Sequence, residues 1–238
     1  MRATLSQWMC VVLVSFLLGC QQERESEQEP QAPIQRQIAD QYGKLPMSFE
    51  ANVGQVDAEA RFVSRGPGYT LLLAKDRAAL MLAQPAQRGE DGRRNSPTRA
   101  VALMLRAEGA HEGVIPQGEQ PLEHPTRYFR GNDPEQWLSD VPSFSRVRYP
   151  EVYPGVDLVF YGNQGGQLEF DFVVAPGADP SAVVLRLEGA QDMETDAEGH
   201  LRLRVEGGEV RLLRPLVYQE RQGERQVVAS RYVLGEQG

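Results

Sequence analysis

Residues 147–174 read VRYPEVYPGVDLVFYGNQGGQLEFDFVV, and this stretch decides the fold. Two runs rich in β-branched and aromatic residues, 156–161 and 168–174, flank a turn made mainly of glycine, asparagine and glutamine. β-branched and aromatic residues fit a pleated, half-buried surface, and Gly and Asn tolerate the positive φ that a hairpin turn needs. The stretch therefore predicts one antiparallel hairpin.

Alternation along the second run predicts which of its side chains are buried. Successive side chains of a strand point to opposite faces of the sheet. Leu168, Phe170 and Phe172 are therefore predicted to share the core face. Glu169 and Asp171 fall on the other face, where we expect them to meet solvent.

The rest of the body repeats this pattern of short strands and turns. Strands at a spacing of roughly 8–12 residues, with no long helical period, are typical of all-β proteins. We predict an antiparallel β-sandwich or meander with long loops, the longest at residues 84–98 and 109–125. The other predicted strands are residues 60–64, 69–74, 78–82, 100–106, 127–130, 144–149, 182–188, 200–205, 209–213, 215–220 and 226–234.

Five short motifs in the body resemble one known family. They read SFEANVGQ at 48–55, RGPGYTL at 65–71, YFRGNDP at 128–134, YPGVDLVFYG at 153–162 and LEFDFVVAPGADP at 168–180. In this order they are similar to the uncharacterised N-terminal domain of bacterial SBBP-repeat (β-propeller repeat) surface proteins. That domain has no settled activity, so the resemblance implies a surface protein and no particular ligand.

The C-terminal end departs from that family. Its members continue with at least one more strand and usually with the repeats, whereas this sequence stops soon after residue 234 and holds no repeat of propeller-blade length. We therefore expect residues 45–238 to be a C-terminally truncated form of the domain, from a truncated or split reading frame, or else a short variant. Its last strand is predicted to be an exposed edge.

The N-terminus has the features of an export signal. Arg2 precedes a compact apolar run at residues 9–18 that is too short to span a bilayer as a helix. The run ends in Leu-Leu-Gly-Cys at residues 17–20, which resembles a bacterial lipobox. We expect residues 1–19 to be a lipoprotein signal peptide and Cys20 to carry the lipid. The alternative is a plain secretory signal that happens to contain a cysteine.

The segment after the signal is predicted to hold the domain away from a membrane. Residues 20–44 are rich in Gln and Glu and poor in apolar residues, so they cannot bury enough surface to offset the entropy of ordering. We expect a disordered tether. Because Gln21 follows the lipidated cysteine, the lipobox resemblance also implies a lipoprotein sorted to the outer membrane of the bacterial cell envelope.

Composition excludes several classes of site. The formal charge is −8, which argues against a nucleic-acid-binding surface. The two cysteines, Cys10 and Cys20, both lie in the N-terminal segment, so the body has no disulfide. Three isolated histidines, His111, His124 and His200, show no ligand spacing. We expect no metal and no cofactor.

Polar and aromatic side chains near turns are the candidate ligand-binding residues: Asn52, Gln55, Asn132, Asp133, Trp137 and Asp157. The alternative for Asn52 and Gln55 is a tight turn whose amides bond nearby backbone. Trp137 either covers the edge of the core or forms an exposed carbohydrate platform. A calcium site using Asn132, Asp133, Asp157 or Asp179 would require six to eight converging oxygens, and the sequence cannot show that convergence.

Two functions from different classes fit these observations. The first is a lipid-anchored, non-catalytic module of the cell envelope with a structural, adhesive or glycan-contact role, whose partners are the membrane and a cell-surface glycan or protein. The second is a carbohydrate-active hydrolase that uses strand carboxylates, with Asp157, Glu169 and Asp171 as candidates. The sequence has no nucleophile elbow, phosphate loop or zinc-protease helix motif, which favours the first.

Overall fold

The structure is a computed structural model that describes residues 9–17, 47–83, 100–129, 131–133, 135, 137–163, 166–221 and 223–235. Cys20, the predicted tether and the whole of the predicted loop at 84–98 lie outside the described residues. The described part is nearly all β, with no α-helix. Its strands are β1 (Met9–Leu17), β2 (Phe49–Ala51), β3 (Ala60–Gly66), β4 (Tyr69–Ala74), β5 (Ala78–Ala83), β6 (Ala100–Ala107), β7 (Gln117–Pro121), β8 (Thr126–Tyr128), β9 (Leu138–Val141), β10 (Ser143–Tyr153), β11 (Val156–Gly162), β12 (Leu168–Val174), β13 (Leu185–Glu188), β14 (Asp192–Thr195), β15 (Leu201–Val205), β16 (Gly208–Leu212), β17 (Leu216–Arg221) and β18 (Glu224–Val228).

Sixteen of these strands form one antiparallel sheet that curls into a half-barrel. The main path runs β13-β6-β5-β4-β3-β2-β10-β11-β12-β1-β16-β15-β14, and β8 with β9 forms a separate two-stranded hairpin. Neighbours in sequence are mostly neighbours in the sheet, as in a meander. The predicted all-β fold is confirmed.

The long strand β10 joins the two halves of the curl. At its start, Ser143 and Phe144 pair with Glu50 and Phe49 of β2. Further along, β10 pairs with β11, with a register shift between Tyr149 and Tyr153. One strand therefore connects the β2–β6 meander to the predicted central hairpin.

The core lies inside the curl and follows the alternation read from the sequence. On β12, Leu168, Phe170, Phe172 and Val174 are each at most 2 % exposed. The ring of Phe170 lies 5.6 Å from that of Phe160, measured between ring centroids, and 6.2 Å from that of Phe172. Offset and edge-to-face aromatic contacts at these separations add to the free energy of burial.

The segment predicted as the apolar part of a signal peptide is a strand within the sheet. β1 pairs with β12 along one edge and with β17 and β16 along the other, antiparallel in each case. Its sequence, MCVVLVSFL, is rich in valine and uncharged, which suits a strand with neighbours on both sides. Cleavage after Gly19 stays a prediction.

Two strands, β7 and β14, are not predicted by the alternation of apolar and polar residues. β7 reads QGEQP and β14 reads DMET, and neither has the apolar alternation of a half-buried strand. β7 forms because it pairs with β10. The predicted strand at 226–234 corresponds to β18, which ends at Val228.

The tight turn between β10 and β11 gives a first testable prediction. Gly155 has φ +71°, and an added Cβ would lie 2.8 Å from the Cβ of Ala178. Gly155→Ala is therefore expected to combine backbone strain with a steric clash and to lower the free energy of unfolding by about 2 kcal/mol. Gly177→Ala is the matched control because Gly177 has φ +84° and open space around it. If urea denaturation showed that both variants lose the same free energy of unfolding, the predicted clash with Ala178 would be contradicted.

Candidate functional site

The opening turn uses both of its predicted ligand-binding amides internally. The Asn52 amide donates to the carbonyls of Asp57 and Ala60, at 2.7 and 2.8 Å. The Gln55 amide donates to the carbonyl of Ala51 and accepts from the amide of Val53, both at 2.7 Å, and Gln55 is 7 % exposed. This geometry supports the interpretation of a tight turn. Ligand binding by these two residues stays a prediction.

Asp157 holds a bulge in β10. One carboxylate oxygen accepts from Arg148 Nη1 at 2.7 Å, and the other accepts from the backbone amide of Glu151 at 2.7 Å. Glu151 has φ +47°, which is unfavourable for a residue with a side chain and needs such support. Arg148 also donates to Glu119 of β7, at 2.6 Å. Asp157 is thus part of a charged network that fixes the path of β10.

Glu169 and Asp171, the candidate catalytic pair, lie on the face of β12 opposite the core-facing phenylalanines. The prediction that they meet solvent is wrong for Glu169, which is 8 % exposed. Its carboxylate accepts from the side-chain amide of Asn163 at 2.8 Å. Asp171 accepts from the hydroxyl of Tyr161 at 3.0 Å.

The environment of Asp171 disfavours its charged form. Its Oδ1 atom is buried and has no hydrogen-bond partner among the described residues. The pKa of Asp171 is raised to about 6, mainly by burial and also by the charge of Glu169, whereas the Tyr161 hydroxyl and Arg146 oppose the shift. Burial, and then the charge of Asp171, raise the pKa of Tyr161 as well. A carboxyl group with a pKa near neutrality exchanges protons readily at physiological pH.

An exposed aromatic pair stands on the separate β8–β9 hairpin. Phe129 is 65 % exposed and Trp137 is 38 % exposed. Their ring centroids lie 5.2 Å apart, with the ring planes at 84°. The Trp137 indole donates to the carbonyl of Gly131 at 3.3 Å, which orients its ring. The structure thus favours the interpretation of Trp137 as an exposed aromatic over a cover for the core.

The remaining predicted residues of this hairpin lie in the connection between its strands. Asn132 and Asp133 are both exposed. The Asp133 carboxylate accepts from the backbone amide of Glu135 at 3.0 Å, a local turn contact. The structure therefore places three predicted residues, Asn132, Asp133 and Trp137, on one hairpin.

The aromatic hairpin is tied to the main sheet by charged and polar contacts. The Tyr128 hydroxyl donates to the carboxylate of Glu50 on β2, and Arg65 of β3 forms an ion pair with the same carboxylate at 2.9 Å. The Arg65 guanidinium also lies over the Tyr128 ring, 5.4 Å from its centroid. The pKa of Tyr128 is raised to about 12, mainly by burial and also by Glu50, whereas Arg65 opposes the shift. These contacts present Phe129 and Trp137 from a fixed base.

A cavity of about 280 Å³ opens elsewhere in the half-barrel, between the β4–β5 turn and the end of β6. Its floor includes Tyr149 and Phe160, and its rim includes Arg77, Arg106 and His111. Asp76, which also lines the cavity, pairs with both arginines, at 3.1 and 3.2 Å, and so neutralises much of their charge. The cavity is lined by none of the predicted ligand-binding residues.

The described ranges contain neither a metal-ligand cluster nor a helix that could span a membrane. No group of three or more His, Cys, Asp or Glu side chains there is arranged to hold a metal ion. No helix in that part of the chain is long and apolar enough to cross a membrane.

A comparison with protein families identifies the body of the chain. The family described as a domain of unknown function, DUF7948, matches residues 49–238. The chain belongs to this family. No curated protein and no solved structure matches it. The roles of residues in the DUF7948 domain are therefore inferred from the geometry of the domain itself.

Of the aromatic pair, the sequence predicted Trp137 but not Phe129. It also did not predict the contacts of Tyr128, Glu50 and Arg65 that hold the hairpin. Phe129 and Tyr128 both lie in the motif YFRGNDP, so two adjacent aromatics before a turn were the available signal. Glu50 and Arg65 gave no such signal because Glu50 is separated from Tyr128 by 78 residues. In the DUF7948 domain, these two charged residues come together with Tyr128 only through the fold.

Proposed function

We propose that this DUF7948 domain is a non-catalytic contact module of the bacterial cell envelope, anchored by a lipid on Cys20, that binds a surface glycan through Phe129 and Trp137. The exposed aromatic pair is the observation that carries this proposal. Large aromatic side chains that remain exposed on a structured hairpin mark binding surfaces, and tryptophan is among the residues that contribute most at such surfaces.

The base of the hairpin supports binding rather than a purely structural role. Tyr128, Glu50 and Arg65 hold the hairpin in place, so a ligand would not have to order it. Pre-ordered contact residues lose less conformational entropy on binding. A stacking surface needs no proton transfer, and no catalytic group contacts the two rings among the interactions described.

Envelope location rests on the N-terminal segment and on the resemblance to SBBP-repeat surface proteins. Lipidation of Cys20 would provide several acyl chains, which together anchor a protein stably. In a bacterial host, the full-length chain is expected to gain the mass of a lipid, lose residues 1–19 and partition into detergent. Cys20→Ala is expected to abolish all three changes. Unmodified, detergent-excluded protein from both versions would overturn the anchoring part of this proposal.

The contact part is tested by a glycan array probed with the purified full-length protein. Phe129→Ala combined with Trp137→Ala is expected to weaken binding to any glycan that the wild type retains by at least about 30-fold, as for loss of a major contact residue. Ile115→Ala is the matched control, because Ile115 is 58 % exposed and lies outside the aromatic hairpin. Equal binding by wild type and double variant would contradict the assignment.

A second candidate, a carbohydrate-active hydrolase, is favoured by one observation. Asp171 has a pKa of about 6 and lies near a second carboxyl group, Glu169, as general acids often do. Both carboxylates accept hydrogen bonds from neighbours on the same sheet, and neither lines the 280 Å³ cavity. Release of reducing sugar from envelope polysaccharides, lost in Asp171→Asn, would establish this function and displace the first.

A further inference from the structure

The strand β1 occupies a central position that the predicted processing of the chain would empty. Its Cys10–Ser15 segment pairs with Val174–Glu169 of β12. On its other edge, Met9–Leu13 pairs with Glu220–Leu216 of β17, and Phe16 and Leu17 pair with β16. These residues all precede Cys20, so removal of the predicted signal peptide would remove β1 entirely.

Loss of β1 would leave two facing, unpaired edges. Neighbouring strands lie about 4.8 Å apart, so β12 and β17 would be separated by about twice that distance and could not pair without moving. β12 carries Phe170, Phe172 and Val174, whose side chains are at most 2 % exposed with β1 in place. Unpaired backbone groups beside a core strand are costly and attract another strand.

We propose that in the processed, anchored protein the position between β12 and β17 is a strand-accepting slot, filled by an extended segment of a partner protein. The inference rests on the proposed removal of residues 1–19. Addition of a strand to open sheet edges is an established mode of recognition, in which backbone hydrogen bonds supply affinity and alternate side chains supply specificity. The segment runs antiparallel to both neighbours, as β1 does.

The chemistry of the partner segment follows from the strand that it replaces. β1 has nine residues and no charge or proline. The positions opposite the buried Val174, Phe172 and Phe170 are Cys10, Val12 and Val14, so small or branched apolar residues fit there. Ser15 lies opposite the buried Glu169, where a small polar residue is compatible and a carboxylate is not.

A second copy of the chain is a poorer occupant. Its most accessible strand is β18, which pairs only with β17 among the described strands and has all five residues exposed. That strand reads ERQVV and brings two charges next to each other. Those charges do not match a slot whose present occupant is uncharged.

The test uses the full-length chain carrying Val173→Cys, expressed in a bacterial host and purified from membranes. Mass determination first establishes whether residues 1–19 are gone. Processing removes Cys10 and lipidates Cys20, which leaves the introduced thiol as the one reactive cysteine. The probe is a synthetic peptide of residues 9–17 with Cys10→Ser and Val11→Cys, because Val11 lies opposite Val173 in β1. With dissolved O₂ as the oxidant that takes up the two electrons, a disulfide between peptide and protein is the expected product.

Two peptides control for backbone pairing and register. One adds Leu13→Pro, which removes a backbone donor from the middle of the strand. The other carries Val12→Cys in place of Val11→Cys and so offers its thiol one residue out of register. We expect both to form the disulfide at least about tenfold more slowly than the first peptide, the ratio that 1.4 kcal/mol produces.

Each contrary result has a distinct meaning. Equal rates for all three peptides, or no adduct with processed protein, would overturn the slot while leaving the anchored module intact. A stable dimer of the processed protein that excludes the peptide would assign the slot to a second copy and also overturn the proposal. Retention of residues 9–17 would overturn both the anchoring and the slot, because the chain would then keep its own strand.

Discussion

Replacing Phe170 with alanine is expected to lower the free energy of unfolding by about 4 kcal/mol. Phe170 is fully buried, and its ring contacts the rings of Phe160 and Phe172 across and along the central hairpin. Truncation removes the transfer free energy of the ring and leaves a cavity that two neighbouring aromatics cannot close. Urea denaturation followed by circular dichroism in the β-sheet region measures the loss.

Phe129→Ala is the matched control for this prediction because it is the same chemical change at an exposed ring. Phe129 is 65 % exposed, so its truncation is expected to change the free energy of unfolding by less than about 0.5 kcal/mol. If Phe170→Ala leaves too little folded protein to measure, Phe170→Leu is expected to cost about 1 kcal/mol. Equal losses for Phe170→Ala and Phe129→Ala would contradict the position of the core.

Replacing Asp171 with asparagine is expected to stabilise the protein at pH 8 by about 2 kcal/mol and to change its stability little at about pH 3.5. The full pKa difference corresponds to roughly 3 kcal/mol, and the smaller figure allows for solvent screening of a side chain that is only partly buried. The pKa of Asp171 is about 6 in the folded state. In the unfolded chain it returns to about 3.9. The folded state therefore binds this proton more tightly, so the contribution of Asp171 to stability is fully present below about pH 4 and is lost as the pH rises through about 6.

Asparagine removes this dependence because it is neutral throughout. Its side-chain carbonyl can still accept the hydrogen bond from Tyr161. The measurement is the difference in free energy of unfolding between variant and wild type across the pH range, which cancels the titration of groups that do not interact with Asp171. A difference that did not change with pH would contradict the buried, uncharged environment assigned to Asp171.

Asp157→Asn supplies a control of opposite sign. The Asp157 carboxylate forms an ion pair with Arg148 and also accepts a hydrogen bond from the backbone amide of Glu151, which supports the bulge there. Loss of that charge is expected to lower the free energy of unfolding at pH 8 by about 1 kcal/mol, since the ion pair is only partly buried. The two Asp→Asn variants should therefore differ by about 3 kcal/mol at pH 8.

Local sequence patterns predict those parts of the fold that depend on local chemistry. Alternation places Leu168, Phe170 and Phe172 in the core, and glycines in the sequence predict the connections from β3 to β4 and from β11 to β12. β7 is not predictable in this way, because its residues are polar and it is a strand only through β10. Tertiary pairing overrides weak β propensity in such strands.

In the candidate site, too, the sequence predicts what depends on local chemistry and misses what depends on tertiary contacts. Asn132, Asp133 and Trp137 were found from turn chemistry and from the presence of a tryptophan. The exposure of Trp137, the Phe129 ring beside it and the Tyr128–Glu50–Arg65 base follow from contacts between distant parts of the chain. The burial of Glu169 was missed because alternation assigns a face of the sheet without saying what covers it.

The position of β1 also imposes an order of events during synthesis. Cys10 pairs with Val174, about 160 residues later in the chain. At typical translation rates, on the order of 10 to 30 s pass between the emergence of the two strands from the ribosome. Throughout that interval residues 9–17 have no sheet to join. Any receptor for an apolar N-terminal segment would therefore encounter it before the sheet does, and the outcome would depend on the rate of capture rather than on the final stability of the sheet.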